Sequence, residues 1–185
     1  MMSAYNNWFF ESRISKNTCE SFIKEYYKQD QSQEGVIGIV HSKIDKNKRV
    51  TNVCCAEPNS PLGLLLFNHI LIANTKANWN FDIDLIEGVQ IGEYPVGGHY
   101  DWHTDQDVYY NDGSDIQRKL SLSLFLSDPD TYEGGDLLLD GIETPIIKKQ
   151  GSIIIFPSSL KHTVTPVTSG VRYSAVTWAR GPQFR

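Results

Sequence analysis

The sequence predicts a mainly β fold with N-terminal helices, an α+β chain whose core is a double-sheet jelly roll. Three observations predict it. After Trp79 the chain consists of short runs rich in β-branched and aromatic residues, punctuated by Gly, Pro, Asn and Asp. Before that point two stretches repeat their apolar residues at helical spacing. The count of strand-like runs that follows suits two packed antiparallel sheets.

Taken in order, residues 7–11 read as a short strand. Ser15 to Thr18 supply polar capping choices ahead of Cys19, Phe22, Ile23, Tyr26 and Tyr27, whose spacing of three and four marks one helical face. Residues 35–40 alternate toward strand, and residues 43–49 look like a turn. From Ser60 and Pro61, with Pro suited to a first helical turn, a Leu- and Ile-rich run to about Ala77 predicts a buried helix. The two helices are expected to precede everything else, as support over about residues 1–80. Strands are expected over 84–94, 100–104, 119–127, 135–139, 144–147, 152–156, 161–167 and 172–179, a jelly-roll core over about 81–180. Cys54 and Cys55 read as a buried strand pair. Residues 107–117 interrupt the strands with polar sequence and read as a surface loop able to fold over a site.

Bulk properties narrow the function classes. A chain of 185 residues with 40% hydrophobic content fits a single domain spanning 1–185. Seventeen Lys plus Arg against 22 Asp plus Glu give a net charge of -5, which argues against a nucleic-acid partner. Lys43, Lys46, Lys48 and Arg49 form a local basic cluster, read as a solvated turn. The three cysteines are an odd count with two adjacent, a poor basis for a disulfide framework. Neither a signal peptide nor a membrane-length apolar run is evident, so a soluble, cytoplasmic protein without a membrane partner is expected.

The sharpest chemical feature is His103 with Asp105, because alternate side chains of a strand share a face. His162 lies on another predicted strand. Two histidines and a carboxylate on one face of an iron leave other positions open for a chelating cosubstrate and dioxygen, and zinc in a hydrolytic site would want similar residues. Asp101, Asp105 and Asp107 share parity with His103, so spacing alone does not choose the carboxylate. Downstream, Pro166 to Gly170 marks a turn, after which Arg172, Ser174, Val176 and Trp178 should face one way. An inward Arg requires a counter-charge, either a protein carboxylate or that of a ligand.

The run Gly92-Glu-Tyr94-Pro-Val-Gly-Gly-His-Tyr100-Asp-Trp-His103-Thr-Asp105 is followed in order by Leu120-Ser-Leu-Ser-Leu-Phe-Leu-Ser127, Tyr132-Glu-Gly-Gly-Asp136, Gly151 to Pro157, and His162 to Arg172. Together these resemble the prolyl 4-hydroxylase branch of the iron(II) and 2-oxoglutarate dioxygenases, in particular the small PKHD-type hydroxylases. The resemblance covers about residues 85–180. It implies a double-stranded β-helix core, iron(II) held by His103, Asp105 and His162, and the 2-oxoglutarate C5 carboxylate held by Arg172 with help from Tyr94. It places Ser174, Leu124 and Trp178 along the cosubstrate pocket, a packing role remaining open for Leu124 and Trp178. Many animal collagen-type enzymes carry Lys where this chain has Arg172, whereas Arg is usual in the PKHD-like group.

By the same resemblance the implied reaction is C–H hydroxylation with dioxygen, giving succinate and carbon dioxide, and ascorbate as reductant. The substrate expected is a peptide or protein containing proline, with residues 43–49 and 107–117 as candidate walls of a groove. A free amino acid or another small molecule is the alternative. A cupin-like metal hydrolase and a non-catalytic binding module are rivals of other classes, and neither needs an inward Arg172 and Ser174. The oligomeric state is not legible.

Overall fold

The Leu and Ser alternation at residues 120–124 organises the molecule, because strand β8 (Ile116–Phe125) is buried along most of its length and sends its two faces to different tasks. Leu120, Leu122 and Leu124 enter one apolar core with the helices, while Phe125 enters a second and Ser121 and Ser123 line a cavity. The computed structural model describes residues 8–37, 43–106, 116–142, 146 and 148–183.

Among the described residues, β8 lies centrally in an antiparallel eight-stranded sheet. In spatial order its path runs through β1 (Phe9–Ser12), β11 (Ser152–Pro157), β8, β14 (Arg172–Pro182), β6 (Val89–Tyr94), β4 (Asn52–Ala56) and β2 (Gln33–Glu34), with β5 (Leu85–Ile86) paired to β14. A second sheet of four strands orders β10 (Leu137–Leu139), β12 (His162–Val164), β7 (His99–His103) and β3 (Arg49–Val50). The pair β9 (Tyr132–Gly134) and β13 (Val167–Gly170) stands apart. The second apolar core, with Tyr94, Phe125, Ile154, Phe156, Leu137 and Val164, draws on both large sheets. The architecture is mainly β with two helices and antiparallel, jelly-roll-like sheets.

Helices α1 (Lys16–Tyr26) and α2 (Pro61–Lys76) supply Cys19, Phe22, Leu62, Leu66 and Ile70 to the first core, on the other face of the large sheet. Ser15 and Ser60 cap them, accepting hydrogen bonds from the backbone N–H of Thr18 and Gly63. Ser60→Ala is expected to lower stability by about 1 kcal/mol in urea unfolding. No helix among the described residues is long and apolar enough to cross a membrane.

Several expectations need correction. The helices do not precede all else: β1 comes before α1, and β2 to β4 lie between the helices and join the sheets. The strand expected over 84–94 divides into β5 and β6. That over 161–167 divides into β12 and β13 around Pro166, which has no N–H to give a ladder. Cys54 and Cys55 do lie on a strand, but alternation buries Cys54 and exposes Cys55. The strand expected over 144–147 lies outside the described residues except for Ile146, and residues 107–115 of the expected loop and 38–40 of the expected strand lie outside them as well.

Candidate active site

Cross-strand pairing brings the two histidines together: His103 ends β7, His162 begins β12, and they are direct partners in the ladder. The strand stops at His103, so Asp105 reaches the same point by another route. Its N–H and that of Gln106 both donate to the carbonyl of Ser158, at 3.0 and 2.9 Å. The Asp105 carboxylate then lies 3.5 Å from Nε2 of His103 and 3.4 Å from Nε2 of His162. One ligand atom from each of the three residues falls within 4.8 Å of the others. Asp101, by contrast, faces outward and pairs with Lys48 at 2.8 Å. Asp107 lies outside the described residues.

The tautomers follow from the hydrogen bonds. Nδ1 of His103 is 2.7 Å from the carbonyl of Asp101, and Nδ1 of His162 is 3.0 Å from that of Leu160. A carbonyl only accepts, so in each neutral ring the proton sits on Nδ1 and the Nε2 lone pair points at the shared centre. Burial would raise the Asp105 carboxyl, but in the metal-free site the His162 and His103 rings, when protonated, and the Arg118 guanidinium hold it well below the usual carboxylate range. Burial pushes the His162 imidazole down, with Asp105 opposing. A deprotonated carboxylate and two imidazole lone pairs are the donor set that a first-row divalent metal needs.

Ser121 donates to Asp105 Oδ2 at 2.7 Å and lies 3.0 Å from the Ser158 hydroxyl. Removing that support in Ser121→Ala should weaken binding of a divalent metal by about 10–100-fold, measured by metal titration with a competing chelator. The Tyr100 ring stacks on His103 with centroids 3.6 Å apart, and Phe156 meets His162 edge-on at 4.8 Å. Burial pushes the Tyr100 phenol up to about 12, so it stays protonated at neutral pH.

The cavity beside these residues has a volume of about 240 Å³. Arg172, 1% exposed, lines it. Its Nη1 donates to Ser174 Oγ at 3.0 Å, its Cζ lies 4.8 Å from the Tyr94 ring centroid, and its Nε has no hydrogen-bond partner. No carboxylate among the described residues pairs with it. Gly135, at φ +61°, allows this approach, since a Cβ there would meet Arg172 Cδ at 2.7 Å. A buried guanidinium with an orphaned N–H is prepared for a ligand carboxylate.

Ser174 and Trp178, which share the strand parity of Arg172, also line the cavity, and so does Tyr94 on the neighbouring strand. Leu124 does not. It has the parity of Leu120 and Leu122, so it points into the helix-side core and is fully buried there, and the cavity takes Ser121 and Ser123 from the same strand. Sequence reasoning missed Ser121, although alternation of Ser with Leu on a buried strand is a visible sign of a polar face. It also missed Arg118, which lines the cavity with Cζ 3.8 Å from the Trp178 centroid and a bidentate bond to Glu87 at 2.7 and 2.6 Å. Arg49, which the sequence placed at the end of a candidate groove wall over 43–49, lines the cavity itself.

A family model of the 2OG-Fe(II) oxygenase superfamily matches residues 89–180, the segment that carries His103, Asp105, His162 and Arg172. The chain belongs to this superfamily. Among curated members, a PKHD-type hydroxylase of Synechococcus sp. (strain JA-2-3B'a(2-13)) is 33% identical over 138 residues, which cover 69% of this chain and 62% of that protein. The chain thus matches less than two thirds of that hydroxylase's length. Two solved structures share the fold. A Pseudomonas putida prolyl-4-hydroxylase superposes with TM-score 0.72 at 18% identity, covering 99% of this chain and 100% of its own. A viral collagen prolyl hydroxylase from Paramecium Bursaria Chlorella virus-1, in a 2OG complex, gives 0.71 at 22% identity, covering 95% and 96%.

Proposed function

We propose that this protein hydroxylates a C–H bond of a peptidyl proline, using iron(II), 2-oxoglutarate and dioxygen and releasing succinate and carbon dioxide. The observation that carries the reading is Arg172: fully buried, lining the same cavity as the His103, Asp105 and His162 cluster, and without a carboxylate partner among the described residues. A hydrolytic zinc site does not require such a group. The two jelly-roll-like sheets are read as a double-stranded β-helix within one domain.

The residues fit the groups the superfamily implies. His103, Asp105 and His162 would hold iron(II), and Arg172 with Ser174 and Tyr94 would hold the remote carboxylate of 2-oxoglutarate. When bound, the iron would activate dioxygen, the oxidant, with 2-oxoglutarate giving two electrons as it leaves as succinate and carbon dioxide, so that one oxygen atom enters the C–H bond; ascorbate would serve as an external reductant. The protein's own part is positional. Gripping the cosubstrate at its far end fixes its depth in the cavity and converts remote binding energy into orientation. The backbone bonds of His103 and His162 hold both Nε2 atoms free and aimed. Phe156, Val164 and Leu137 form a dry wall on one side of the cavity.

A prolyl peptide is favoured as substrate by the likeness to PKHD-type and collagen prolyl hydroxylases. A free amino acid or another small molecule is the alternative.

The decisive experiment is an anaerobic titration of the metal-free protein with iron(II) and then 2-oxoglutarate. A weak visible charge-transfer band is expected in wild type and should be lost in His103→Ala. Iron shown to be bound without that band would overturn the proposal.

A further inference from the structure

Three arginines line the cavity, and they are not equivalent. Arg118 has its carboxylate in Glu87. Arg172 has none and is assigned above to the cosubstrate. Arg49, read from sequence as part of a solvated basic turn, is 9% exposed and reaches into the same cavity. Its Nε donates to Thr51 Oγ1 at 2.9 Å, Nη1 to the Val36 carbonyl at 2.9 Å and Nη2 to Gln90 Oε1 at 3.3 Å. All three acceptors are neutral. A guanidinium has five N–H donors, so two remain, and no carboxylate among the described residues pairs with the cation to offset the cost of burying it.

The carboxylates nearby have other partners. Glu34 pairs with Lys46 and Asp101 with Lys48, both at 2.8 Å, and Glu93 accepts from Asn52 and Tyr173. Apart from Asp105 in the His103 and His162 cluster, Glu34 is the one acidic residue among the described residues lining the cavity.

The placement of Arg49 also points to the reacting centre. It sits on β3, opposite Tyr100 on β7, in the sheet that carries both histidines. Its Cζ lies 4.8 Å from the Tyr100 centroid, and that ring stacks on His103. One aromatic ring therefore separates the guanidinium from the histidine cluster. Arg172 belongs to the other sheet. The backbone is shaped around Arg49, because a Cβ on Gly35 would meet its Nε at 2.6 Å.

We infer that Arg49 is a specificity-determining residue that receives a carboxylate of the substrate, so that the hydroxylated molecule carries a negative group close to the target carbon. This rests on the hydroxylase reading and narrows its substrate. The carboxylate has two possible sources, an acidic side chain beside the proline of a peptide or the α-carboxylate of a free amino acid.

The test compares acid and amide probes by calorimetry on the full chain loaded with iron(II) and 2-oxoglutarate without oxygen. The probes are L-proline against L-prolinamide, and blocked pentapeptides with central proline carrying Glu or Gln on either side. In wild type the acid of at least one pair should bind about tenfold more tightly than its amide, and the pair that discriminates names the source. Arg49→Gln should bring that ratio to about one, and Arg49→Lys should retain part of it.

Equal binding of acids and amides, or no binding of any acid probe, would overturn the inference, and neither result depends on a variant folding. Arg49→Gln losing 2-oxoglutarate while keeping the acid preference would overturn it as well. Admission of oxygen then tests the hydroxylase reading separately, by whether a bound probe gains the mass of one oxygen atom.

Discussion

Asp105→Ala is expected to lose iron(II) retention and bring turnover to background, a larger loss than the roughly 10–100-fold that removing a supporting residue produces. Asp105 is the one anionic ligand of the cluster, so without it two neutral imidazoles face a divalent cation with no compensating charge. The same change leaves the Ser121 hydroxyl without its acceptor at 2.7 Å, although Ser158 remains within reach. Metal content after dialysis and succinate release are the measurements. An Asp105→Ala protein that kept iron and turned over normally would move the carboxylate ligand to a residue outside the cluster.

Arg172→Leu is expected to weaken 2-oxoglutarate by about two to nearly four orders of magnitude, since breaking a buried charge pair costs about 3–5 kcal/mol. Iron(II) binding should survive, because no ligand touches Arg172. Stability should move the other way. In the free protein the guanidinium is buried with its Nε unpaired, so an apolar residue in its place should leave unfolding unchanged or stabilise it by about 1–4 kcal/mol. Denaturant melts of the metal-free protein and anaerobic cosubstrate titrations together separate the two effects. A variant that lost both stability and binding would mark Arg172 as structural.

Strand parity explains much of what the sequence discloses about this site. Arg172, Ser174, Val176 and Trp178 alternate on one strand, and all four line the cavity. Leu124 shows where that logic needs care. On β8 both parities are buried, so hydrophobicity alone does not separate the cavity face from the helix face, and the serines at 121 and 123 mark the difference. Asp105 shares the parity of His103 but reaches the cluster through Ser158, more than 50 positions away in sequence. Arg49 was hidden for a related reason. Among Lys43, Lys46 and Lys48 it reads as one more solvated cation, and the Val36 carbonyl, Gln90 and Tyr100, brought to it by folding, make it an interior residue. The antiparallel sheets were legible from alternation and turns. The interleaving of β2 to β4 with the helices was not, because two-residue strands such as β2 and β3 carry almost no periodic signal.

The direct ladder pairing of His103 with His162 makes metal capture a mechanical event for the smaller sheet. Its strands β3, β10 and β12 are two or three residues long, and such segments open most readily in local fluctuations. An ion held across β7 and β12 acts as a rivet through adjacent strands, stabilising their closed arrangement in proportion to its occupancy. Amide exchange along Tyr100 to His103 and Thr163 to Val164 should therefore slow on iron(II) binding, while β8 and β14 in the large sheet exchange at a rate set by global unfolding.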